Sequence, residues 1–119
     1  MNKDSNHDCS PIERLAAAYS HAVMRLDPVA AAAVYAEDGV LSAFFGPEIV
    51  GRSAIEDAFR QTFAPIKWIT QSISAGMVDR DGETARATWT VVEWLQRHDA
   101  EGSACCFGSY EDQAILTSD

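Results

Sequence analysis

Apolar residues between positions 12 and 26 recur at helical spacing. Ile12, Leu15, Ala16, Tyr19, Val23 and Leu26 fall on one stripe, with Tyr19 at its middle. Ser10 as a cap, Pro11 at the first helical position and Glu13 as the far half of a capping box mark where this helix begins. His21 lies on the opposite side, toward solvent. Asp27-Pro28 repeats the same punctuation and predicts a second, short helix ending before Gly39. "VLSAFFG" reads as a strand closed by Gly46-Pro47. "GRSAIEDAFRQTF" predicts a third helix, with Ser53 and Glu56 as a capping box and Ile55, Phe59 and Phe63 as its buried face.

After Pro65 the period changes from helical to alternating, which predicts strands near 67–78, 83–96 and 103–116. Asp81-Gly82 signals a hairpin, and the polar stretch 97–102 a looser turn. Helices followed by a run of antiparallel strands define an α+β domain, with helices covering one face of a curved sheet. Residues 1–9 are polar and read as a loose tail, leaving 10–119 as a single domain without internal repeats.

Parity then sorts the strand residues into faces. Ala85, Ala87, Trp89, Val91, Glu93 and Leu95 share one face of the long central strand, and Glu93 interrupts it. Thr88, Thr90, Val92 and Trp94 lie on the other. Gln71 shares a side with Ile73, Ala75 and Met77, and Asp112 with Cys106, Gly108, Tyr110, Ala114 and Leu116. Polar groups on faces otherwise fit for a core mean either a ligand cavity or satisfied structural groups, because an unpaired buried polar atom is costly. Asp112 is the sharpest case, being mid-strand with apolar residues on both sides.

Composition narrows the partners. A net charge of −9, from 9 basic and 18 acidic residues, argues against a nucleic-acid or anionic-membrane surface. No apolar run approaches a bilayer span, and the N-terminus has no secretory apolar region, so a cytoplasmic protein is expected. The 3 cysteines have neither CxxC spacing nor a neighbouring histidine, so they read as buried free thiols, and neither metal nor cofactor is expected.

The stretches "YSHAVMRLDPVAAAAVYAEDGVL", "GRSAIEDAF", "DRDGETARATW" and "GSYEDQ", in this order, resemble the SnoaL-like branch of the NTF2-like superfamily over roughly residues 10 to 117. That resemblance implies a cone: a bent sheet wrapped on helices, with a pocket opening at one end. Such relatives continue beyond the "GSYEDQ" strand into another long strand, so the sheet here is expected to lack it or to be completed differently.

The N-terminal half also resembles ketosteroid isomerase, with Tyr35 following Tyr19 by 16 residues and "YAEDGVLSAFFG" after it. By that likeness Tyr19 and Asp112 fall on the isomerase's oxyanion hole, where a neutral carboxylic acid donates to a developing enolate. The isomerase's general base falls on Ala43, which cannot move a proton. The acid and histidine of SnoaL-like cyclases fall on Met24 and Gln71, and the charged triplet of limonene epoxide hydrolase has no counterpart.

Three functions remain open on these grounds. One is a pocket binding a small apolar carbonyl compound, with Tyr19, Gln71 and Asp112 orienting it and Phe44, Phe59, Phe63, Trp89 and Tyr110 lining the site. Another is an isomerase, cyclase or dehydratase using Tyr19 and Asp112, with Glu93 as the base. The last is a non-catalytic homodimer joined through the outer sheet face around Trp94.

Overall fold

The computed structural model describes residues 10–42 and 46–115. Helix α1 spans Ser10–Met24, and α2 spans Pro28–Ala33. Leu26 closes α1 with a left-handed backbone at φ 54°, a conformation usually left to glycine. The Asp27 carboxylate then accepts from the Ala30 amide at 3.0 Å, capping α2 as its position before Pro28 predicts.

Two short strands follow, β1 (Val40–Leu41) and β2 (Ile49–Val50), paired antiparallel. The second of them has too short an apolar run to read from sequence. Helix α3 spans Arg52–Phe63 and buries Ile55, Phe59 and Phe63 as expected. Its start corrects the sequence reading, because Ser53 and Glu56 form no capping box. Gly51 stands at the cap position with φ 94°. The carbonyls of Gly39 and Glu37 take the Gly51 and Arg52 amides at 2.7 and 3.0 Å, so the preceding loop supplies the acceptors. Glu56 instead pairs with Arg60.

The rest is an antiparallel sheet of β3 (Ile66–Asp81), β4 (Thr84–Arg97) and β5 (Ala104–Ile115), in that spatial order. The helices cover one face, so the α+β prediction holds. Among the described residues the sheet stays open, with β3 and β5 as its edges. No described helix is long and apolar enough to cross a membrane.

A bulge in β3 corrects the parity reading. Ser74 pairs with Thr90 and Met77 with Thr88, so Ala75 and Gly76 together oppose Trp89. One extra residue moves every later side chain to the other face. Gln71 and Ile73 point inward opposite Glu93 and Val91, but beyond the bulge it is Val78 that pairs with inward Ala87. Met77 turns outward and is 75% exposed. Gly76 has to be glycine, since a Cβ there would stand 1.4 Å from the Thr88 carbonyl oxygen.

The core forms where α1, α2 and α3 meet the start of β3, around Val23, Ala32, Ile55, Phe59, Phe63 and Ile69. It continues along β4 through Ala87, Trp89 and Val91. The covering thins out toward β5, whose residues are mostly exposed. The expectation of buried thiols fails there: Cys105 is half-buried and Cys106 exposed. The reason is positional, since an edge strand is shielded only by its single neighbour.

Candidate functional site

Polar and aromatic side chains from five elements, α1, α3, β3, β4 and β5, converge on the inner face. Tyr19 comes from the middle of the α1 stripe and Phe59 from α3, with ring centroids 6.0 Å apart. Tyr110 descends from β5 and meets Tyr19 edge-on, at 6.3 Å and 79°. Tyr35, just past α2, closes the other side of Phe59 at 6.2 Å. Phe63 stacks behind Phe59 at 5.5 Å and belongs to the core.

A hydrogen-bonded chain runs through this cluster. The Gln71 amide Nε2 donates to Glu93 Oε1 at 2.7 Å, a cross-strand pair that the β3–β4 register sets directly. The Tyr110 hydroxyl donates to the same oxygen at 3.4 Å. The Tyr19 hydroxyl in turn bonds to Tyr110, which raises the pKa of Tyr19 and lowers that of Tyr110. Tyr110 thus stands between Tyr19 and Glu93.

Burial is the main reason these phenols hold their protons. It pushes Tyr19 far above the ordinary tyrosine range, with Tyr110, Tyr35 and Glu93 adding to the effect. Tyr110 is pushed up to about 12 by burial and then by Glu93. Tyr35 is pushed up to about 12 by burial and then by Asp112. All three are hydrogen-bond donors at neutral pH.

Asp112 stands apart from this chain. Its Oδ2 accepts from the Trp89 indole Nε1 at 3.0 Å, a diagonal cross-strand contact because Trp89 pairs with Tyr110, two residues away. Partial burial raises the Asp112 carboxyl, and the indole donor opposes that rise. The residue itself remains exposed on the edge strand. Thus Tyr19, Tyr110, Glu93 and Gln71 are brought together, while Asp112 is grouped with Trp89 and Tyr35. Phe44 and Ala43 lie outside the described residues.

Two clefts flank α1. One, of about 450 Å³, lies between Ile12 and Leu15 of the apolar stripe and Ala85 and Ala114 of the sheet. It sits one helical turn from Tyr19 and one inward position from Asp112, with Arg14, Arg80 and Glu83 on its walls. The other, of about 390 Å³, lies on the far side of α1 against β3 and is lined by Gln71 and Trp89. Gln71 therefore joins the tyrosine chain to a second cleft.

Tyr35 and Ser20 are the participants that strand parity could not reveal. Tyr35 lies outside regular structure, and its spacing from Tyr19 was the only signal. Ser20, 8% exposed, donates to the Gln71 backbone carbonyl at 3.3 Å and fixes α1 against β3.

Helices closing on one face of an open, bulged antiparallel sheet give the chain an NTF2-like fold, with tyrosines and a carboxylate meeting beneath the first helix. The chain belongs to the SnoaL-like domain family, whose model matches residues 5–119. No curated protein matches the chain in sequence.

Solved structures are similar in fold. A candidate scytalone dehydratase from Novosphingobium aromaticivorans is 19% identical with a TM-score of 0.82, covering 90% of this chain and 72% of its own. A ketosteroid isomerase-like protein from Erwinia carotovora atroseptica is 22% identical with a TM-score of 0.69, covering 91% and 82%. A Catenulispora acidiphila protein in complex with S-DNPA is 17% identical with a TM-score of 0.77, covering 92% and 81%. At these identities the likeness shows the fold alone.

Proposed function

We propose that the protein binds a small, mostly apolar molecule carrying one carbonyl group, in the cleft between the α1 stripe and the inner face of the sheet. The observation that carries this reading is the meeting of Tyr19, Tyr110 and the inward Glu93 beside Phe59. A ligand carbonyl entering from the Leu15 side would accept from the Tyr19 hydroxyl, and Asp112 would flank it. The Catenulispora relative's complex with S-DNPA supports a small ligand in this fold. The test is native mass spectrometry and titration with steroid, terpene and polyketide-like ketones. Binding is expected, and Tyr19→Phe should weaken it about tenfold. If none of these ketones binds, or if Tyr19→Phe binds as tightly as the parent, the reading fails.

A second reading, proton transfer on the bound ketone, rests on Glu93. This carboxylate faces inward, and its Oε2 accepts no hydrogen bond from a described residue. In an isomerase or dehydratase it would act as the base while Tyr19 polarises the carbonyl. Turnover by the parent and a loss on the order of 10²–10⁴-fold in Glu93→Gln would support it. Binding without turnover would leave the protein a binding module.

Assembly is a separate matter. The outer sheet face carries Trp68, Trp94 and Phe107, exposed at 41%, 48% and 79%. This face is the proposed contact between two copies, anchored by Trp94. Light scattering should then report a dimer, and Trp94→Ala a monomer. A parent protein already monomeric at high concentration would remove this surface from consideration.

A further inference from the structure

The cleft between the α1 stripe and the sheet is not apolar throughout. Ile12, Leu15, Ala85 and Ala114 line it, but Arg14 and Arg80 border it too. The chain has 9 basic residues against 18 acidic ones, so two guanidiniums at one cleft run against the general charge. Glu83 is the carboxylate on the same lining, which leaves that lining net positive.

The β3 bulge is what brings Arg80 there. Before it the inward residues of β3 are Gln71 and Ile73; beyond it they are Val78 and Arg80, paired with buried Ala87 and Ala85. Ala85 pairs in turn with Ala114 of β5, and these two alanines leave room above the sheet for the cleft. Arg80 is half-buried, and its Nε donates to the Gly82 carbonyl at 3.1 Å, which orients the guanidinium. With five N–H donors, a guanidinium can serve several acceptors at once. Arg14 stands on the helix wall, exposed and in no ion pair with a described residue. Pro11 and Ile12 on the same wall belong to the first turn of α1, the end of a helix that favours an anion.

Register sets the scale. Asp112 is the inward position of β5 next to Ala114, about 7 Å along the strand. Leu15 lies one turn from Tyr19. The groups suited to a carbonyl and those suited to an anion are therefore neighbours in one cleft.

Resting on the ketone reading above, we propose that the ligand of this cleft is a keto acid, an apolar body whose carbonyl lies toward Tyr19 and whose carboxylate is held by Arg14 and Arg80. A guanidinium matches a carboxylate in shape as well as in charge. A separation of about 7 Å suits two groups at opposite ends of a ring and excludes an α-keto acid, whose two groups are adjacent.

Calorimetric titration of the full chain tests this with three rigid probes: para-acetylbenzoate, para-acetylbenzamide without the charge, and benzoate without the ketone. Para-acetylbenzoate should bind at least about tenfold more tightly than the amide at low salt, and the advantage should shrink as salt rises. Arg80→Gln and Arg14→Gln should each reduce that advantage. If Arg80→Gln does not fold, Arg14→Gln decides, because Arg14 is exposed on its helix. Equal affinity of the parent for the acid and the amide, an advantage unchanged in Arg14→Gln, or no binding of para-acetylbenzoate overturns the proposal. The ketone reading fails separately: para-acetylbenzoate would then bind no more tightly than benzoate, while Arg14→Gln still weakened both.

Discussion

Replacing Phe59 by alanine is expected to lower the free energy of unfolding by about 3–5 kcal/mol. The residue is 7% exposed and sits where three rings meet, stacked on Phe63 at 5.5 Å and tilted against Tyr19 and Tyr35. Removing it takes a large apolar surface from the core and leaves a cavity that three aromatic neighbours cannot close without moving. One of those neighbours is Tyr19, so ketone binding should weaken even where the variant still folds. Urea unfolding followed by circular dichroism measures the first effect. Phe107→Ala is the control, because Phe107 is 79% exposed and should change stability by no more than about 0.5 kcal/mol. Equal losses in the two variants would mean that the inner aromatic cluster is not the centre of the core.

A single methyl group at Gly76 should do comparable damage. Alanine there places its Cβ 1.4 Å from the Thr88 carbonyl oxygen and 2.6 Å from the Thr88 carbonyl carbon, atoms of a neighbouring backbone that cannot rotate away. The bulge must open or the strands must separate, and a loss of about 3 kcal/mol or more is expected. Gly108 supplies the comparison: it too lies within a strand of this sheet, but a Cβ built on it meets nothing within 4 Å. Gly108→Ala should be neutral or slightly stabilising, since alanine restricts the unfolded chain. Thermal melts of both variants, with amide spectra to follow the β3–β4 register, distinguish the cases. Similar melts for the two alanines would show that the bulge is not held by close backbone approach.

The bulge also marks where sequence reasoning stops. Periodicity located the three helices and the three long strands to within a few residues, and Asp27-Pro28 did cap the second helix. Strand parity correctly set Gln71 and Glu93 inward, since both lie in the regular stretch of the β3–β4 register between Trp68 and Ser74. It failed at Met77 because one residue inserted at 75–76 reverses every later assignment, and a lone glycine in a strand does not reveal that it is a bulge. The capping box at Ser53 failed for a related reason. Its acceptors were displaced by carbonyls of Glu37 and Gly39, which come close only once the chain has folded.

The candidate site divides the same way. Its ingredients were legible, because an inward carboxylate, a mid-stripe tyrosine and a glutamine on a core face stand out against apolar neighbours. Their grouping was not. The sequence by itself determined the α+β class and which residues face inward, since helical and strand periods are local properties set by side-chain direction. Only the tertiary structure decided that Tyr110 donates to Glu93, that Asp112 is held by Trp89, and that the Gln71 amide is committed to Glu93. Those outcomes depend on register, the angle at which α1 crosses the sheet, and competition among donors for one Glu93 oxygen, all of them set by contacts between residues far apart in the chain.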